Sequence, residues 1–132
     1  MLSGAGMVMI TPSASNSDLT TLGYKVFHRT LPSDDDQADA AARYLKGRKT
    51  FVIGDDTSFG ADVADRIAKE VTLTGRAKVD SDQKDFAAVV EQVTGSGAAA
   101  VYFGGVGDDG GLFVKALRAA DKKITIVGGD RL

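Results

Sequence analysis

Apolar residues along this chain alternate between short unbroken runs and stretches spaced three and four apart. Residues 7–11 (Met-Val-Met-Ile-Thr) form a short β-type run. A turn-rich stretch, residues 12–17, follows, and residues 24–28 read as a second strand-like piece. After Pro32 the period changes. Ser33 stands as an N-cap ahead of three aspartates, and Ala38, Ala41, Ala42 and Leu45 recur at helical spacing. Residues 50–54 are a near-continuous apolar strand, and Phe59, Val63, Ile67 and Val71 then repeat every four residues on one helix face. Gly75 is expected to close that helix. A short strand is predicted over 77–80, a helix from Phe86, Val89, Val90 and Val93, and a strand over 98–103. A helix over 112–120 and a strand over 124–127 complete the pattern.

Strand and helix in alternation, with strands apolar on both faces, imply right-handed crossovers and a doubly wound α/β parallel sheet. Ligands of such sheets bind beyond the carboxyl ends of the strands. Here those ends carry Asp55, Asp56, Ser58 and Phe59, then Asp80, then residues 104–109, then Asp130. The first thirty residues supply strand-like pieces with no helix between them, so they are assigned to another layer or to a partner. The expected division is residues 1–32 as a strand and connecting segment and residues 33–132 as one α/β lobe.

Composition narrows the function. At 132 residues, 43% apolar and 26% charged, the chain suits one folded domain. Sixteen basic against eighteen acidic residues leave a net charge of −2, which gives nucleic acid no basic footprint. With no cysteine and one histidine, His28, thiolate and His-rich metal sites are excluded. His28 has no evident acid partner, and no nucleophile motif occurs. No run reaches the ~18 apolar residues of a membrane helix, and residues 1–13 lack the basic start of a signal peptide.

Residues 105–110 match Gly-x-Gly-x-x-Gly between a strand and a helix, with Asp130 twenty residues on, as in a dinucleotide site. Against this, Asp108 and Asp109 fall where a phosphate would sit. The strand-end acids offer Mg²⁺ chemistry as one alternative and helix capping as the other. A nucleotide- or phosphate-binding, flavodoxin-like or Rossmann-like domain using Gly105 to Gly110 is the competing reading. A self-associating half-domain without ligand is the third.

The order of motifs brings in a family. Residues 9–16 (Met-Ile-Thr-Pro-Ser-Ala-Ser-Asn), Phe27-His28-Arg29-Thr30, and Asp34 with Gln37 open the series. Ser58-Phe59-Gly60, Lys84-Asp85-Phe86, residues 101–105 and Gly128-Gly129-Asp130 follow in order. Together they resemble type I periplasmic solute-binding proteins, in the leucine/isoleucine/valine-binding branch that serves ABC transporters. The resemblance implies the second lobe of a two-lobed protein plus its connecting segment, without enzymatic activity or cofactor. It implies an extracytoplasmic location, a small amino acid or similar polar metabolite as ligand, and a transporter permease as partner of the full-length family. The Ser13-Ala14-Ser15 turn matches the position that holds the ligand's α-carboxylate and α-amino groups. Asp130 stands at the acid that pairs with the ammonium, and Phe59 and Val106 stand at the covering aromatics, neither carrying a tyrosine's hydroxyl. Seen as a fragment, the chain is expected to bind weakly and to form a homo-oligomer, in particular a dimer that exchanges its N-terminal strand.

Overall fold

The computed structural model describes residues 2–105, 107–130 and 132. Its centre is a four-stranded parallel sheet. Two of its strands, β3 (Lys49–Gly54) and β5 (Ala100–Gly104), lie side by side, flanked by β4 (Thr72–Lys78) and β6 (Thr125–Gly128) in the order β4-β3-β5-β6. The continuous apolar runs are the two central strands: β5 is buried throughout and β3 from Thr50 onward. Each needs cover on both faces. Register pairs Phe51 with Val101 and Ile53 with Phe103 on one face, and Val52 with Tyr102 on the other.

Helices supply that cover according to the direction in which the chain crosses. Two helices, α2 (Asp34–Leu45) and α3 (Ser58–Glu70), pack on the Val52–Tyr102 face through Ala38, Ala41, Leu45, Val63 and Ile67. The opposite face takes α4 (Ala87–Gly95) and α5 (Asp108–Ala120), where Phe86, Phe103 and Phe113 form an aromatic cluster. Phe103 and Phe113 stack with ring centroids 4.6 Å apart, and Phe86 meets both edge-on. Edge strand β4 is mostly polar and carries Arg76 and Lys78, as suits a strand with one open side.

The order in which strands are added reverses between the parallel strands β3 and β5, since β3 leads to β4 on one side and β5 to β6 on the other. The start of α3 presses into this crevice. A Cβ at Gly60 would collide with the Asp55 carboxylate and sit 2.5 Å from the Gly104 carbonyl oxygen. Only glycine permits that approach.

Three sequence expectations change. Gly75 does not end a helix: α3 stops at Glu70, and Gly75 lies inside β4, where any Cβ would strike the Phe51 ring. The fourth strand accordingly starts at Thr72 rather than near Ala77. The fifth helix begins at Asp108, four residues before the predicted start, because Gly107 adopts φ +68 and turns the chain into it early.

The opening residues are not free of helix either. A single 3₁₀ turn spans Leu2–Ala5, and the four-residue α1 (Asp18–Thr21) separates β1 (Met9–Thr11) from β2 (Phe27–Arg29). Those two strands pair in parallel as a second sheet, distinct from the central one. Val8 and Ile10 there are about two-thirds exposed, at 65% and 66%. Among the described residues no helix is long and apolar enough to cross a membrane.

Two substitutions test this packing by urea unfolding. Gly60→Ala is expected to cost about 1–3 kcal/mol through overpacking, and Phe103→Ala about 3–5 kcal/mol through the cavity it leaves. An unfolding midpoint unchanged in Gly60→Ala contradicts the close approach of α3 to β5.

Candidate functional site

The first turn of α2 organises the carboxyl end of the sheet. A helix leaves its first backbone N–H groups without internal partners, and here the preceding chain satisfies them. Ser33 and Asp36 form a capping box, in which Asp36 N–H donates to Ser33 Oγ while the Asp36 carboxylate accepts from Ser33 N–H at 3.0 Å. These Ser33 hydrogen bonds, to side chain and then backbone, hold the Asp36 carboxyl below the usual carboxylate range. Asp34 N–H donates to the Ser15 carbonyl at 2.9 Å, and Asp35 N–H donates to Ser17 Oγ at 3.2 Å.

The Ser15 carbonyl also accepts from the Arg29 guanidinium at 3.0 Å, which reaches the Asn16 carbonyl and Thr20 Oγ1 as well. Upstream, Thr11 Oγ1 accepts from Ser13 N–H and Ala14 N–H, closing the hydroxyl turn. The turn over residues 13–17 is thus fixed by β1, β2 and α2 at once.

Facing it is the start of α3. Thr57 is the N-cap, accepting from Gly60 N–H at 3.0 Å. Asp55 sets that cap from below: its Oδ1 accepts from Thr57 N–H at 2.9 Å and from the Thr57 hydroxyl at 2.5 Å. Asp55 is buried, and its Oδ2 has no hydrogen-bond partner among the described residues. Between this helix start and the Ser15 turn lies a cleft of about 220 Å³, lined by Ala14, Ser15, Asn16, Phe59 and the acids Asp34 and Asp62 among others.

Phe59 is buried and reaches a second part of the site. A Cβ at Gly129 would sit 3.3 Å from Phe59 Cζ, 3.5 Å from Gln37 Oε1 and 3.6 Å from the Tyr102 hydroxyl. Beside it, Asp130 N–H donates to Gln37 Oε1 at 3.2 Å. A shallow cleft of about 310 Å³ opens there, lined by Gln37, Tyr44, Tyr102, Val127 and Asp130 among others.

The structure therefore brings Ala14, Ser15 and Phe59 around one cleft and Asp130 beside an adjoining one, with Phe59 between them. Ser13 is exposed and stands outside the first lining. Val106 lies outside the described residues. Sequence reasoning left Gln37, Tyr102, Asp34 and Arg29 out of the site, although all four fall inside the motif series. Their spacing placed them in elements and said nothing of the direction their side chains take.

The glycine-rich turn has a different explanation from phosphate binding. A Cβ at Gly105 would meet the Phe103 ring, and one at Gly110 would meet Leu132, so both glycines serve packing. At the start of α5 the buried carboxylate of Asp109 pairs with Lys84 at 2.5 Å, occupying the place an anion would need. Nor do Asp55 and Asp56 cap helices themselves; Asp55 supports a threonine cap, and Asp56 accepts from Ser81 N–H at 3.0 Å. Among the described residues no group of three or more histidines and acids could hold a metal ion.

Comparison with known proteins agrees with the fold. Residues 1–131 match the model of the periplasmic binding protein family. A Leu/Ile/Val-binding protein homolog of Brucella melitensis is 35% identical over the whole chain, which spans 38% of that relative. A Leu/Ile/Val-binding protein of Rhizobium johnstonii is 33% identical with the same coverage. Among solved structures, the branched-chain amino acid transporter substrate-binding protein of Streptococcus pneumoniae, in complex with isoleucine, superposes with a TM-score of 0.83. Its identity is 22%, over 98% of this chain and 39% of that one. The chain thus spans about two-fifths of the length of these relatives.

Tyr102 gives the site a pH signature. Burial first, then the nearby carboxylates of Asp130 and Asp34, push its hydroxyl well above the ordinary 10.0. Because the folded-state value is the higher one, stability is full below the unfolded value and is lost as pH rises past it. Urea unfolding between about pH 9 and 12 is expected to show this decline, and Tyr102→Phe is expected to flatten it. An identical decline in Tyr102→Phe assigns the effect elsewhere.

Proposed function

The chain belongs to the periplasmic binding protein family, and on that premise we propose that it forms a solute-binding lobe for a small amino acid of the branched-chain type. Catalysis has no part in this reading. One observation carries it: the turn at residues 14–16 and the turn at Gly129 both meet Phe59, at the start of α3, at the carboxyl end of the sheet.

A zwitterionic ligand needs an anion for its ammonium, neutral donors for its carboxylate and an apolar wall. Asp130 supplies the first of these, with Asp34 and Asp62 adding negative potential along the neighbouring cleft. The Ser13-Ala14-Ser15 turn offers hydroxyls and main-chain polar groups, and the positive end of α3 faces the same space. Phe59 and Val106 are the walls. Charge-assisted hydrogen bonds of about 1.5–3 kcal/mol each account for the polar part of the affinity.

In this reading residues 1–32 are the strand and connecting segment and residues 33–132 the lobe proper. Its setting is extracytoplasmic, delivering solute to an ABC transporter permease. Relatives named for leucine, isoleucine and valine support the ligand class. A solved Rhodopseudomonas palustris relative in complex with 4-hydroxybenzoate, 19% identical, shows that the same fold accommodates other acids.

Calorimetry with leucine tests the site. Asp130→Ala is expected to weaken binding by at least about tenfold while leaving the circular dichroism spectrum unchanged. Equal affinity in the variant removes Asp130 from the site.

The exposed apolar residues Met7, Val8 and Ile10 beside an open two-stranded sheet favour pairing with a second copy through exchange of the N-terminal strand. Native mass spectrometry is expected to show a dimer carrying an added mass near that of an amino acid. A clean monomer in sedimentation at micromolar concentration overturns the exchange. A dimer that stays ligand-free favours self-association as the only activity.

A further inference from the structure

We propose that Gln37 is a positioning residue, whose side-chain carbonyl holds the turn carrying Asp130 against α2 so that the acid stands in the cleft beside Phe59. For its ligand this inference rests on the solute-binding reading; the positioning is a property of the chain itself.

The bond from Asp130 N–H to Gln37 Oε1 spans 93 residues, so it is a tertiary contact and not a local turn device. It joins the turn at Asp130, after β6, to the first turns of α2. That same stretch of α2 holds the turn over residues 13–17, with the N–H groups of Asp34 and Asp35 donating to the Ser15 carbonyl and Ser17 Oγ. One helix start therefore sets the distance between the two halves of the candidate site. Gly129 eases the approach, since a Cβ there would press on Phe59 of α3 at 3.3 Å and lie in contact with Gln37 of α2 and Tyr102 of β5.

The other end of the amide argues against a packing role. Gln37 Nε2 is buried and makes no hydrogen bond among the described residues. A methionine would fill the same space without desolvating an NH₂ group. What methionine lacks is the carbonyl that receives Asp130. Burial first, and then the charge of Asp130, push the Tyr102 hydroxyl upward, so the exposed Asp130 carboxylate lies within electrostatic reach of Tyr102 in β5.

Hydrogen exchange of the Asp130 amide, followed by NMR, reads the positioning directly. Asp130 is exposed, yet its amide is expected to be protected in the unsubstituted chain. Gln37→Met, which keeps volume and removes the acceptor, is expected to lower that protection about fivefold to tenfold. Gln37→Glu, which keeps an acceptor oxygen, is expected to retain it. Leucine affinity measured on the same samples is expected to fall by a similar factor in Gln37→Met, and to show no further fall when Gln37→Met is added to Asp130→Ala.

An Asp130 amide that exchanges at the free-chain rate without any substitution overturns the proposal, even if Gln37→Met fails to fold. So does unchanged protection in a folded Gln37→Met. Lost protection in that variant, in a chain indifferent to leucine, upholds the positioning and overturns the ligand reading alone.

Discussion

Everything at the carboxyl end of the sheet follows from the reversal of strand order between β3 and β5. The two strands are buried on both faces, so the helices that cover them must leave on opposite sides, and α3 must begin in the gap between. That beginning is possible because Gly60 has no side chain where Asp55 and the Gly104 carbonyl already sit. Asp55 then receives both the Thr57 N–H and its hydroxyl, which fixes the entry angle of the helix. A crevice formed in this way is a product of sheet topology, with Phe59 at its mouth as the second residue of the helix.

The other wall is built by hydrogen-bond accounting. The start of α2 needs acceptors for three N–H groups, and they come from Ser15, Ser17 and Ser33. Two of these belong to the segment of β1 and β2, which on its own is a two-stranded sheet of marginal stability. Arg29 completes the arrangement by binding the carbonyls of Ser15 and Asn16. The same contacts therefore cap a helix, anchor a weak sheet and immobilise a polar turn. An isolated turn of this kind would be conformationally free; this one is ordered by hydrogen bonds within the chain.

The fold was legible because its signals are collective. Runs such as residues 50–54 and the four-residue repeat from Phe59 to Ile67 depend on periodicity, which survives small errors at any one residue. The errors arose where one glycine had two physical uses. Gly75 can close a helix or make room for a ring, and only the position of Phe51 across the strand pair decides between them. Gly105 and Gly110 have the same ambiguity: a pattern that matches a phosphate turn describes contacts with Phe103 and Leu132. Short pieces such as α1 and the 3₁₀ turn at Leu2–Ala5 carry too few residues for any period to register.

The site was less legible, for a related reason. Ser15, Phe59 and Asp130 were named as candidates through motif order, which marks positions without saying what holds them. Gln37 and Arg29 do the holding, and in sequence they look like an ordinary polar helix residue and a strand arginine. Their roles come from contacts across 14 and 93 residues, distances at which local pattern carries no information. A recognition site assembled from chain-remote pieces is specified twice over. The residues that would touch a ligand are set by its chemistry, and the residues that orient them are set by the helix starts and strand ends nearby. In this chain the second set coincides with the first turn of α2, so the stability of that helix start and the shape of the site depend on the same hydrogen bonds.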